Sequence, residues 1–322
     1  MDKKKIIIAV ITAAVLILIA VLASCPKKDG AKQPQPAEKD GPAETVAAQA
    51  TAVPAQIKEQ ASPVKPAIEF KKTKKADGTE VLEAVKEGKT VFKKEAGTGE
   101  EFRVNDGTSD STLPEAGRDL TGDGIPDIFI ELYSEKDSCS NVYSLLSIMK
   151  EGVKSITEVR GLAEGVEFKD LDGNGIPELI GTDCTFLDWW AAVGETPEPK
   201  VIQSFDGKKY FVNMDLMGSQ MDAPPDKKEM QAYINKNRGG FISYVWSYML
   251  DMIYSGYGET AWEFYELVPW DNTWEEQMLG GGKQQPTDKQ SYLEAFKEHL
   301  STSVYWEDIK KLNNWEMMDF EM

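Results

Sequence analysis

Ten oxygen-bearing or carbonyl-offering residues stand at matching places in two short segments of this chain, and their chemistry is that of a hard-cation site. Residues 119–128 read D-L-T-G-D-G-I-P-D-I and residues 170–179 read D-L-D-G-N-G-I-P-E-L. Side-chain oxygens fall at positions 1, 3, 5 and 9 of each copy: Asp119, Thr121, Asp123 and Asp127, then Asp170, Asp172, Asn174 and Glu178. Position 7, Ile125 or Ile176, offers a backbone carbonyl. Ca²⁺ takes six to eight oxygens from carboxylates, amides and carbonyls, and a loop with alternating oxygen donors can wrap it. Glycines at positions 4 and 6 of both copies permit the left-handed backbone that wrapping requires. Without a cation, the carboxylates crowded into nine residues repel one another. A pair of metal-free Asp-Gly turns is the plainer alternative, and the recurrence of the whole pattern weighs against it.

These loops are not EF-hands. Position 12 holds Ile130 or Gly181 where a bidentate Glu is required, and Pro126 or Pro177 occupies position 8. The segments after them, D-I-F-I-E-L-Y and E-L-I-G-T-D, are strand-like. The chain here resembles the VCBS/FG-GAP class of calcium-loop repeats, whose motif D-x-[DN]-G-[DN]-G-x-x-[DE]-[LIV] bridges two β-strands. The second copy matches fully, and the first departs at Thr121, which coordinates through its hydroxyl or not at all. More narrowly, about residues 104–313 look like bacterial envelope proteins known by these repeats alone. The resemblance implies Ca²⁺ as the cofactor and adds no activity.

Two tryptophans and the cysteines are the other chemistry-bearing groups. Cys139 and Cys184 each follow a loop, so a disulfide joining the two repeat units is one expectation and two inert buried thiols the other. Trp189 and Trp190 cannot both face one side of a strand, which makes the pair the candidate ligand contact. The lone histidine, His299, is expected to be a solvated helix residue, far from either cysteine. No G-x-S-x-G, H-E-x-x-H or P-loop signature is present. The expectation is therefore a protein that is not an enzyme, with a hydrolase of envelope polysaccharide or peptidoglycan, using a carboxylate pair outside the loops, as the alternative.

The elements that must carry these groups fall in order along the chain. Lys3, Lys4 and Lys5, an apolar run over residues 6–22, and Leu22-Ala23-Ser24-Cys25 read as a lipoprotein signal peptide (residues 1–24) with Cys25 as the lipidated residue. An uncleaved anchor is the competing reading, since the run approaches membrane-spanning length. Residues 25–67, rich in Ala, Pro, Lys, Gln and Glu, are expected to be a disordered tether reaching about 35 Å. Residues 68–213 alternate short β-prone runs with turn signals. Strands are expected at 128–133, 142–149, 153–159, 166–168, 179–182 and 201–205, and a hairpin or small meander before them. Residues 214–322 carry helical spacing over 226–235, 241–255, 259–268 and 287–301, with a short further helix ending near 312. The aromatic stripes there read as core. The fold class is α+β, an antiparallel blade-like β-sheet unit with two calcium loops followed by a helical part packed on it.

Charge agrees with this address. The net charge of −18 becomes −20 without residues 1–24, which disfavours nucleic acid and anionic surfaces as partners. The expected partners are the membrane through the N-terminal lipid and an envelope glycan or protein, on the extracytoplasmic side of a bacterial envelope.

Overall fold

The computed structural model describes residues 68–105, 113–134, 138–187, 189, 196–240, 242–270 and 288–315. The expectations for residues 1–67, for Cys25 and for Trp190 lie outside them. The fold is α+β: among the described residues three antiparallel sheets precede six helices.

Sheet 1 is the early meander: β1 (Ile68–Lys74), β2 (Glu80–Lys86) and β3 (Lys89–Glu95). Its second turn passes Glu87-Gly88 with both residues in the left-handed region. Sheet 2 follows the chain as β4 (Glu100–Val104), β5 (Asp127–Ser134), β6 (Val142–Met149) and β7 (Gly152–Arg160). Sheet 3 repeats that plan with β8 (Glu167–Lys169), β9 (Glu178–Thr182), β10 (Lys200–Phe205) and β11 (Tyr210–Val212). In both four-stranded meanders the acidic loop enters the second strand. In both, a short 3-10 turn, Ser138–Ser140 or Cys184–Phe186, leads from the second strand toward the third.

Sheet 2 is covered on both faces, which explains the nearly continuous apolar run of β5. Ile128 and Ile130 face sheet 1 in a small core with Leu82, Phe102 and Leu146. Phe129, between them, points the other way with Tyr143 and Leu145 into the main core, as the two-residue period of a strand demands. The main core continues through Leu179 and Val201 of sheet 3 into the helices: α1 (Met214–Gly218), α2 (Lys227–Asn237), α3 (Ser243–Ile253), α4 (Gly258–Leu267), α5 (Lys289–Leu300) and α6 (Trp306–Leu312). Asp226 starts α2 with a reciprocal capping box to Glu229, and Asp288 caps α5 by accepting from the Ser291 N–H. Buried Asp183, at the end of sheet 3, accepts hydrogen bonds from Tyr254 and Ser303, so one carboxylate ties the sheet to two helical segments.

Cys139 and Cys184 are disulfide-bonded, with Cα atoms 5.2 Å apart. Each lies in the 3-10 turn of its own meander, so the bond joins equivalent corners of sheets 2 and 3.

Two side chains differ from expectation. Trp189 is buried, stacked on the His299 ring at 4.6 Å and packed on Trp246 at 4.7 Å. Burial among these rings withdraws it from ligand contact. His299 is not a solvated helix residue: its Nε2 lies 2.7 Å from the Thr185 carbonyl oxygen, to which it donates. It closes the same aromatic cluster over Phe186.

Candidate metal centre

The first loop is built by its own carboxylates. Asp119 Oδ1 accepts from the Gly122 N–H at 2.7 Å and Oδ2 from the Gly124 N–H at 2.9 Å. Asp123 Oδ1 accepts from the Ile125 N–H at 2.7 Å. Asp127, fully buried, accepts at Oδ2 from the Leu120 and Thr121 N–H groups and at Oδ1 from the Ser147 hydroxyl at 2.5 Å. Burial pushes the Asp127 carboxyl above the ordinary range, opposed by these donors. The Thr121 hydroxyl turns toward Asp119 Oδ1 at 3.5 Å.

The second loop repeats most of these bonds at matching positions. Asp170 takes the N–H groups of Gly173 at 2.8 Å and Gly175 at 3.0 Å. Asn174 Oδ1 takes the Ile176 N–H at 2.6 Å. Glu178, fully buried, takes the Leu171 N–H at 2.8 Å and the Ser204 hydroxyl at 3.1 Å. Asp172 adds two bonds of its own, from the backbone and side-chain nitrogens of Asn174. The glycines at positions 4 and 6 all have positive φ, from 75° to 88°. The repeated pattern is thus a repeated three-dimensional object.

Ser147 and Ser204 were not foreseen, and they occupy matching places. Ser147 is the cross-strand partner of Asp127 on the third strand of sheet 2. Ser204 continues the β9–β10 register, in which Gln203 faces Leu179, and so stands opposite Glu178. The available signal was a Ser near the end of an apolar strand, in L-L-S-I-M and V-I-Q-S-F, one strand beyond each loop.

Ligand oxygens of Asp170, Asp172 and Glu178 all lie within 4.8 Å of one another, a grouping that can hold a metal ion. Two full negative charges at that distance repel by about 1 kcal/mol in water and roughly 3–4 kcal/mol at an effective dielectric constant near 20. A cation relieves that repulsion. The N–H bonds leave lone pairs on the carboxylate oxygens, so orientation and coordination do not compete. The donors are oxygen throughout, which suits Ca²⁺, Mg²⁺ or Mn²⁺ above Zn²⁺ or Cu²⁺.

No protein-family model, curated protein or solved structure matches this chain. The resemblance to calcium-loop repeats therefore rests on the loops themselves.

A cleft of about 530 Å³ adjoins both loops, lined by Leu113, Pro114, Glu115, Arg118, Val166, Glu167 and Phe168. Arg118 directly precedes the first loop and Phe168 nearly adjoins the second. Outside the loops, burial raises the carboxyls of Glu131 and Asp251. Neither lines this cleft. Glu131 is engaged by Tyr143 Oη at 3.0 Å, with Arg103 at 3.7 Å.

Proposed function

We propose that this chain is a calcium-binding, lipid-anchored extracytoplasmic protein that serves as a binding or scaffold domain at the bacterial cell envelope, and that it is not an enzyme. The observation that carries the reading is the recurrence of two oxygen-rich loops, with Asp119 and Asp170, Asp123 and Asn174, and Asp127 and Glu178 taking matching hydrogen bonds, at the same point of two four-stranded meanders. In this reading Asp119, Asp123 and Asp127, with Thr121 and the Ile125 carbonyl, hold one ion. Asp170, Asp172, Asn174 and Glu178, with the Ile176 carbonyl, hold the other. Each ion ties the entry of a second strand to the loop before it and so fixes that strand's end.

Ca²⁺ is preferred over Mg²⁺ because a nine-residue wrap with a carbonyl and several side chains offers more ligands than an octahedral, water-retaining Mg²⁺ uses. An envelope address follows from the lipobox-like ending at Cys25, the charge, and a disulfide that needs an oxidising compartment. Among the described residues no helix is long and apolar enough to cross a membrane. An envelope glycan or protein partner would meet the chain at the cleft beside the loops, where Arg118, Glu115 and Glu167 stand among Leu113, Val166 and Phe168. The non-catalytic reading is preferred over the hydrolase because the acids with raised pKa outside the loops are spent on structure or lie away from the cleft.

Calorimetric titration of the chelator-stripped full chain with Ca²⁺ tests the reading. Two equivalents should bind, and Asp170→Ala should lose one. Thr121→Ala should weaken binding far less, since it deletes a neutral ligand and not a charge. Absence of binding heat would end the proposal.

A further inference from the structure

The two loops touch each other. Gly122, at position 4 of the first, has φ of 75°, and a Cβ placed there would run into Ile176 Cγ1 and lie 2.8 Å from its Cδ1. Ile176 is position 7 of the second loop. Beneath both runs a column of rings: Phe129 of β5 meets Phe168 at 4.8 Å, and Phe168 meets Tyr210 of β11 at 6.4 Å. Tyr210 is only 8% exposed, and among the described residues its hydroxyl has no hydrogen-bond partner. Burial pushes the phenol's pKa up, and the carboxylates of Asp127 and Glu178, one from each loop, add to that rise. A buried phenol without a hydrogen-bond partner is costly, and this one lies close enough to the ninth-position acids of both loops to feel their charge.

We propose that the two loops form one coupled unit, in which a cation held by either loop raises the affinity of the other for its own cation. This rests on the calcium reading above. Ile176 acts twice: its carbonyl is the position-7 ligand of the second loop, and its side chain lies on Gly122 between Thr121 and Asp123 of the first. An ion that fixes the Ile176 backbone therefore fixes its side chain. That side chain in turn holds the first loop in the left-handed shape its own ion needs. The ordering cost is met once and shared, which is positive coupling without a change of fold. Repulsion between the two divalent ions is offset locally, because six carboxylates surround them. Linkage requires the coupling to be reciprocal.

Calcium titrations of the full chain separate the possibilities. Wild type should bind two ions with a Hill coefficient above 1. Asp172→Ala, an exposed change that removes a ligand from the second loop only, should weaken the first loop's remaining site about fivefold or more. Asp123→Ala should weaken the second loop by a similar factor. Ile176→Ala keeps the carbonyl and removes only the bridging side chain; it should still bind two ions, with the cooperativity lost. Two ions bound independently in wild type, with the first loop's affinity unchanged in Asp172→Ala, would overturn the coupling and leave the calcium reading intact. No binding at all would overturn both.

Discussion

Ser147 and Ser204 show how a strand sets the shape of a loop outside it. Each donates to the one loop carboxylate that is buried, from the strand position opposite it. The exposed acids are instead fixed from within their own loops: Asp119 and Asp170 by glycine N–H groups, Asp123 by the Ile125 N–H and Asp172 by the nitrogens of Asn174. A metal ligand whose oxygen is held by a neighbour keeps its orientation before the ion arrives, and loss of such a partner typically weakens metal affinity by about 10–100-fold. Ser204→Ala should therefore lower calcium affinity at the second loop by about tenfold while the chain stays folded; unchanged affinity would deny the serine this role. At this scale the recurrence of the loops was legible from residue type and spacing, because both copies carry glycines at positions 4 and 6 and oxygen donors at 1, 3, 5 and 9. The serines were not, because cross-strand pairing is a property of register that local sequence does not carry. Trp189 and His299 misled for a related reason: an aromatic pair reads as a surface feature until the helix that covers it is in place.

Among the elements, the strongly patterned ones were readable. The strands carrying Phe129, Leu145, Val159, Leu179 and Ile202 are found where their apolar β-branched runs place them, as are the four longer helical spans and the short helix ending at Leu312. Strand β11 and helix α1 were missed. Each is short, and what announces them is turn and cap chemistry: the Asp206 carboxylate accepts from the Lys208 and Lys209 N–H groups, and Asn213 caps α1 through the Leu216 N–H. The Asp-Gly pair at 206–207 was the hairpin signal that went unused. The contact between loops makes a test possible at this scale. Gly122 and Gly173 are equivalent positions with nearly the same φ, 75° and 77°, yet a Cβ at Gly173 meets nothing within 4 Å. Alanine at either site incurs the left-handed penalty of about 1–2 kcal/mol. Gly122→Ala should cost clearly more in urea unfolding, because it also displaces Ile176. Equal costs would show that the two loops do not bear on each other.

For the whole molecule, the repeat organises what composition could only suggest. Two meanders carry their loop, serine and cysteine at corresponding points, and the Cys139–Cys184 bond ties them together across a sequence separation of 45 residues. A closed loop of that length removes about 4 kcal/mol of denatured-state entropy on the chain-entropy estimate. The Cys139→Ala/Cys184→Ala double variant should accordingly unfold at lower urea, by about 2–4 kcal/mol, with calcium binding retained; an unchanged midpoint would contradict a stapling role. The α+β order was legible from the switch of hydrophobic period near residue 213. That sheet 2 is covered on both faces was foreshadowed only by its unbroken apolar strands. The central claim is that the loops hold calcium to stabilise the β-sheets. Its most direct test is the thermal unfolding of the full chain in EDTA and in millimolar Ca²⁺. An ion bound at a hundredfold excess over its Kd adds about 2.7 kcal/mol, which at this size raises Tm by roughly 5–10 °C. The account predicts a calcium-dependent rise of at least that size, abolished when Asp119 and Asp170 are both changed to alanine. Superimposable melts with and without calcium would contradict it.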